Sequence, residues 1–524
     1  MIIVGRTILA IMYIVAVILS ARYYLHILQA GGYRLRDYFT ALSNDPVRWL
    51  PLVFSIIPTA MLSLGYSVAG FIFAVVYFLL IYTFYQKIVK ILHLVPQQRF
   101  EATHRILRLS VTLTVLWTAL VVIILILKKP ARTPALVLSS LWFSLSPFFV
   151  ALSVVINVPL EKRVKNYYAG LARRKIEGCP DLIVIGVTGS YGKTTVKDAI
   201  AGILSTRYQV LKTPGSYNTR MGIARTIHDH LTPEHQYFVC EMGARQVGEI
   251  QELCDMVRPN AGIITAVGSR HIDTFHSVRN ILKARYELLD SVDTRGGQMF
   301  VNGDNMMIRS HMRYPDAITY GFTQGCSYHG TLLEQDTTGS TFSVTGPDGQ
   351  YGEYHTKLLG RYNLVDLMGA IAVGNQNGIP MEDMCSAIAA LSAEPHRLKM
   401  TRTGRRAIID DTDNTYPDAV AVSLETLSMF ENTRILITPG ITSRAMSNEE
   451  VMQFAQRAAR SADYIILLRH SRTRAIYENI IETGFKSDHI LVVDTMADAR
   501  VVASQIEPDS GSVVLLENSL PKQA

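Results

Sequence analysis

Leu182-Ile183-Val184-Ile185-Gly186-Val187-Thr188-Gly189-Ser190-Tyr191-Gly192-Lys193-Thr194-Thr195 decides how the larger part of this chain folds. The first six residues form the unbroken apolar run of a strand covered on both faces, and Val196 to Leu204 has helical spacing. Between them lies a glycine turn ending in Gly-Lys-Thr. Strand, glycine turn and helix in this order aim backbone N–H groups and a helix N-terminus at phosphate oxygens. Thr188, Gly189, Ser190, Tyr191, Gly192, Lys193, Thr194 and Thr195 are therefore the candidate ATP-binding residues. In such a loop Lys193 reaches the terminal phosphates and Thr194 a Mg²⁺ ion. The spacing departs from the generic G-x-x-x-x-G-K form, because Val187 stands where its first glycine belongs.

Gly186-Val-Thr-Gly-Ser-Tyr-Gly-Lys-Thr-Thr195 resembles the Mur ligase family, ATP-dependent ligases that build the peptide stem of bacterial cell wall. The likeness is strongest to the branch that adds D-alanyl-D-alanine. It extends over most of residues 181 to 520 and does not reach the first 160. Downstream, Thr213-Pro-Gly-Ser-Tyr-Asn-Thr-Arg-Met-Gly222 resembles the family segment that places a substrate-side asparagine at Asn218. The strand Gln236 to Glu241 ends in a carboxylate, which read alone is either structural or a hard ligand for Mg²⁺. The resemblance gives Glu241 the metal role, and gives His271, after the strand Ala261 to Val267, a metal and catalytic role. The family carries a carbamylated lysine where this chain has Arg285. A guanidinium stays protonated and cannot carry a carbamate, so a second metal is absent, held otherwise, or replaced electrostatically by Arg285, and the last of these is the preferred expectation.

The same resemblance marks Asn302 and Asp304 as nucleotide contacts and Asn363 as a substrate contact, with Tyr362 replacing a family histidine. Arg397 matches a hinge arginine with catalytic and ATP-binding roles. Ala407-Ile-Ile-Asp-Asp-Thr-Asp-Asn-Thr-Tyr-Pro417 resembles a family loop in which Asp411 serves ATP, and Asp410 and Asn414 serve the substrate. Asp413 and Tyr416 depart from that loop. Ser512 to Ser519 ends on Glu517 and Asn518 where the family shows Lys-Gly-Ser, and no chemistry is assigned to it.

The whole chain of 524 residues is 48% apolar and only 18% charged, with five cysteines and a formal charge of +7. No Cys-x-x-Cys pair occurs, so neither a zinc ribbon nor a disulfide framework is indicated. The charge is mild and borders apolar runs, which favours lipid headgroups over nucleic acid as a partner. Those runs lie before residue 160: Met1 to Ala21, Trp49 to Gln86, Leu109 to Leu127 and Ala135 to Asn157. They read as four or five transmembrane helices, and the Lys/Arg-rich segments between and after them put residue 160 in the cytoplasm. A cleaved signal peptide is the rival reading of the first run. The expected location is the bacterial cytoplasmic membrane, multi-pass, with the catalytic domains in the cytoplasm.

The expected fold is α/β: transmembrane helices at 1–160, a basic linker at 161–180, a central P-loop ATPase domain with a parallel-rich sheet at 181–396, and a smaller Rossmann-like domain at 397–524. Strand-like runs at Arg434 to Thr438, Tyr464 to Leu468 and Ile490 to Val493 alternate with helical stretches in the last part. The resemblance implies that a carboxylate of an envelope precursor attacks ATP to give an acyl phosphate. An amino acid or dipeptide then displaces the phosphate. The acceptor is expected to be lipid-linked at the membrane or UDP-linked and soluble. The rivals are a membrane-tethered nucleotide switch and a noncatalytic scaffold.

Overall fold

The computed structural model describes residues 18, 20–43, 100–126, 145–268, 272–336, 338–349, 351–393, 395–404, 406–412, 417–440, 448–469, 472–506 and 511–518. They belong to two compact units, one of residues 1–164 with 522–524 and one of residues 165–521.

The first unit is helical, with Leu35–Ser43, His104–Ile126 and the beginning of Ser146–Glu177 as its described helices, besides residues 20–30. Tyr24, Leu28, Tyr38, Leu42, Ile106, Leu109, Val150 and Val154 form its core. Polar contacts cross it as well. Arg108 Nη2 lies 2.5 Å from Glu161 Oε1, and Asn157 Nδ2 donates to Thr112 Oγ1 at 2.7 Å.

The expectation of a multi-pass membrane region is corrected here. Among the described residues no helix is long and apolar enough to cross a membrane. All but the last residue of the run Leu109 to Leu127 falls on helix His104–Ile126, whose first turns carry Arg105 and Arg108, both paired with Glu161. Ala135 to Asn157 falls partly on helix Ser146–Glu177, where Asn157, Pro159 and Glu161 close the apolar run early. Trp49 to Gln86 and all but the end of Met1 to Ala21 lie outside the described residues. The multi-pass cytoplasmic-membrane location is corrected with that expectation, and among the described residues nothing supports the lipid bilayer as a partner.

The second unit contains two sheets. The larger has nine strands: β1 (Ile183–Thr188), β2 (Val210–Lys212), β3 (Tyr237–Met242), β4 (Ala261–Ile264), β5 (Gln298–Asn302), β6 (Ile318–Gly321), β7 (Tyr328–Gln335), β8 (Ser340–Thr345) and β9 (Tyr351–Thr356). Their order is β2-β3-β1-β4-β5-β6-β7-β8-β9. Pairing is parallel from β2 to β7 and antiparallel at β7/β8 and β8/β9. β1 and β3 are buried almost throughout, because helices cover both faces. Val196, Ile200 and Ile203 of helix Lys193–Leu204 pack on one face with Leu367 and Ile371 of helix Arg361–Gln376. Helix Val278–Asp293 packs on the other with Ile281, Leu288 and Val292. Gly186 is required at the centre of β1, since a Cβ there would stand 2.6 Å from Leu288 Cδ1.

The smaller sheet has β10 (Lys399–Thr403), β11 (Arg406–Asp411), β12 (Thr433–Thr438), β13 (Tyr464–Leu468), β14 (Ile490–Val493) and β15 (Ser512–Glu517). Its order is β10-β11-β15-β12-β13-β14, parallel except for the β10/β11 edge. The α/β architecture with parallel-rich sheets agrees with the sequence reading. Each face of this sheet has its own apolar cluster, one around Leu424, Phe454 and Ile476, the other around Met496, Ala499 and Ala503.

Candidate active site

The phosphate loop leaves the C-terminal end of β1, flanked by β3 and β4. Thr188 Oγ1 donates to Met242 O at 2.9 Å, tying the loop's first residue to the tip of β3. Ser190 N donates to Ala266 O at 2.6 Å, Gly268 N donates to Ser190 Oγ at 3.1 Å, and Thr265 Oγ1 donates to Tyr191 O at 2.5 Å. The chain after β4 therefore braces one side of the loop. Gly192 caps helix Lys193–Leu204 with φ +80°, a conformation costly for a side chain bearing Cβ. Lys193 is buried and donates Nζ to Gly189 O at 3.0 Å, one of the loop's own carbonyls.

Glu241, at the end of β3, is 1% exposed, and three segments converge on its carboxylate. Thr194 Oγ1 donates to Oε2 at 2.9 Å, Asn218 Nδ2 donates to Oε1 at 2.8 Å, and Lys197 Nζ lies 3.7 Å from Oε2. Lys197 is fully buried and also donates to Gly215 O at 2.5 Å. The hydroxyl and carboxylate that a hard divalent cation prefers thus already touch. This donor pair fits Mg²⁺. Lys197 stands one helical turn after Lys193 and was not a sequence candidate; a lysine on the apolar face Val196-Ile200-Ile203 was its only signal.

Arg285 is 1% exposed, with Nη2 donating to Ala244 O at 3.4 Å and Nη1 lying 3.5 Å from Thr188 Oγ1. Its guanidinium therefore sits at the end of β1, beside the loop. Helix Val278–Asp293 holds it there through the buried face of Ile281, Leu288 and Val292.

Other sequence candidates spend their polar atoms locally. Asn302 Nδ2 donates to Thr265 O, while its Oδ1 accepts from Asp304 N and Asn305 N. Asp304 accepts from Phe322 N and Thr323 N. Asn363 Nδ2 donates to Leu359 O at 2.7 Å. Asp410 takes His396 Nδ1 at 2.9 Å and the Thr412 hydroxyl at 2.8 Å. Asp411 accepts from Leu398 N at 2.9 Å and from the Ser423 hydroxyl. Through Asp410 and Asp411 the loop grips the segment that carries Arg397. His271 and Asn414 lie outside the described residues.

Asp366, on helix Arg361–Gln376, is a further member of this region. Its carboxyl packs against Gly192, where a Cβ would stand 2.4 Å from Oδ1. Burial pushes the acid up to about 8, against the opposing pull of Arg397 and Lys193. The folded protein therefore holds this proton up to about pH 8, whereas the unfolded chain releases it near 3.8. Between those values unfolding sheds a proton, so the contribution is full below the lower value and is lost as pH rises through the upper one. The slope is up to about 1.4 kcal/mol per pH unit. Asp366→Asn should gain stability relative to the parent from pH 5 to 8 and no further above it. Urea midpoints of both proteins at several pH values check this, and parallel curves would contradict it.

Residues 187–374 match the family model of the Mur ligase middle domain. A UDP-N-acetylmuramoyl-tripeptide–D-alanyl-D-alanine ligase of Bacillus subtilis is 31% identical over 250 residues, covering 47% of this chain and 53% of that protein. The protein of the same name from Escherichia coli is 27% identical over 290 residues, covering 53% and 62%. The chain spans about half the length of the first such relatives. Among solved structures, MurF from Acinetobacter baumannii superposes with a TM-score of 0.59 at 22% identity, covering 68% of this chain and 78% of the other. The MurF ligase from Thermotoga maritima in complex with ADP gives 0.58 at 23%, covering 68% and 80%. The similarity to the Mur ligase family is thus supported for the central domain, and the structures show that the fold is shared.

Proposed function

We propose that this chain is an ATP-dependent acid–amino-acid ligase of the Mur type, joining an amine to a carboxylate on an envelope precursor through an acyl phosphate. The observation that carries the reading is the Thr194–Glu241–Asn218 cluster beside the buried Lys193 of a phosphate loop. The matched middle domain, and relatives named for adding D-alanyl-D-alanine to a UDP-muramoyl tripeptide, give it its substrate classes.

The loop N–H groups and the start of helix Lys193–Leu204 receive the phosphates, and Lys193 exchanges its loop carbonyls for phosphate oxygens. Thr194 and Glu241, with His271, would hold Mg²⁺, which when bound neutralises charge on the transferring phosphoryl group. Arg285 adds a fixed cation from the opposite helix. Arg397 approaches the loop from the hinge. Asn302, Asp304 and Asp411 border the nucleotide, and Asn218, Asn363, Asp410 and Asn414 border the other substrates. Positioning and charge carry such a transfer, with little covalent help from protein groups. In this assignment 181–396 binds nucleotide and 397–524 brings the amine.

Purified protein, MgATP and D-alanyl-D-alanine should yield ADP and an amide product with a muramoyl-tripeptide acceptor, detected by mass spectrometry. UDP-linked and lipid-linked acceptors, assayed side by side, tell the two carrier forms apart. ATP binding with no amide from either would leave a nucleotide switch or scaffold instead.

A further inference from the structure

Helix Lys193–Leu204 carries a second lysine one turn after the loop lysine, on the face that enters the core with Val196 and Ile200. Lys197 is fully buried, and its ammonium meets three oxygens. It donates to Gly215 O at 2.5 Å and lies 3.7 Å from Glu241 Oε2 and 3.6 Å from Asp198 Oδ1. Asp198 is shared with Lys212, whose Nζ is nearer to it at 2.8 Å. The charge of the buried Glu241 is therefore matched by Lys197, and backbone pins Lys197 in that place.

An ion pair enclosed this deeply adds little stability that an apolar pair of the same volume would not, so folding alone gives no reason for it. Its position does give one. Glu241 Oε2, the atom that Lys197 approaches, also accepts from the Thr194 hydroxyl at 2.9 Å, and these are the two oxygens that fit Mg²⁺. A divalent cation held by this pair would share Oε2 with a fixed ammonium, and like charges repel strongly where water is excluded. The affinity of oxygen sites for such cations follows the charge their ligands carry. Among the described residues no group of three or more His, Cys, Asp or Glu side chains gathers to offset the lysine.

We propose that Lys197 is the fixed counter-charge of Glu241: it keeps a divalent cation from settling on the nucleotide-free protein and makes that cation's binding depend on the nucleotide's phosphates. The inference deepens the ligase reading and rests on its assignment of Thr194 and Glu241 to Mg²⁺. Phosphate oxygens received by the loop bring the negative charge that Lys197 takes from Glu241, so metal and nucleotide are held together or not at all. Lys193 does not do this, since its Nζ turns to Gly189 O and Ser190 O within the loop. The bond to Gly215 O extends the same control to the segment carrying Asn218, whose Nδ2 donates to Glu241 Oε1 at 2.8 Å. One buried ammonium thus serves the metal carboxylate and the substrate-side segment.

Titration of the full chain with Mn²⁺ in the absence of nucleotide, followed by the electron paramagnetic resonance of the unbound ion, tests this. Lys197→Met and Lys197→Gln should bind free Mn²⁺ at least about tenfold more tightly than the parent, while Lys197→Arg, which keeps the charge, should match the parent. Adding Glu241→Gln to Lys197→Met should abolish the gain, which ties it to that carboxylate. All the single variants should bind MnATP as the parent does, and this also reports their folding. Unchanged Mn²⁺ affinity in Lys197→Met and Lys197→Gln overturns the proposal, as does an equal gain in Lys197→Arg or a gain that survives Glu241→Gln. If the parent binds MnATP and the gain is missing, the phosphate-loop reading stands and only the counter-charge role is lost. A parent that binds no MnATP loses both.

Discussion

Lys193→Ala lowers the rate of ATP-dependent amide formation by about 10³-fold, the scale seen when one donor aimed at developing charge is removed. The reasoning starts from where the ammonium rests. Lys193 Nζ donates to Gly189 O at 3.0 Å and lies 3.4 Å from Ser190 O, both within the loop. These carbonyls hold the cation at the place where terminal phosphates arrive, so little reorganisation accompanies binding. Alanine leaves Gly192 capping the helix and the Thr194–Glu241 contact intact, so the variant remains folded. Single-turnover kinetics and MgATP titration on the purified variant measure the loss. A variant within tenfold of the parent in both would remove Lys193 from the machinery.

Glu241→Ala unfolds more readily than the parent by about 3–5 kcal/mol, because it strands a buried cation. Lys197 has no exposure and keeps Gly215 O, but its nearest other carboxylate, Asp198 at 3.6 Å, is already committed to Lys212 at 2.8 Å. Thr194 and Asn218 lose their shared acceptor in the same step. Adding Lys197→Met to Glu241→Ala should restore more than half of the loss, since an apolar side chain of similar length fills the space without charge. Urea denaturation of parent, both singles and the double variant closes the cycle. Additive effects would show that the two residues do not communicate.

The parts legible in the sequence are those whose signal is local. A continuous apolar run, a glycine turn and Gly-Lys-Thr place β1, the loop and its helix, because strand burial and phosphate geometry demand those residues in that order. Strands β12 to β14 are visible for the same reason. β9 gives a different signal, since its exposed and buried residues alternate and no unbroken apolar run marks it. On the described helices His104–Ile126 and Ser146–Glu177 a window average of hydropathy does not register that Arg108 and Glu161 find each other. At Asn302, Asp304 and Asn363 the residue type is legible in the motif, whereas the backbone groups that orient each side chain are not. Lys197, Asp366 and Glu517 lie within apolar segments, and only the assembled fold reveals what faces them.

The contact between Gly192 and Asp366 ties together two positions far apart along the chain. The bare Cα of one is the floor on which the carboxyl of the other rests. The floor cannot be raised, because φ +80° keeps position 192 glycine whatever stands opposite, and a bulkier neighbour at 366 has nowhere to go. A library randomised at both positions should therefore return functional clones with glycine at 192 and a residue no larger than aspartate at 366.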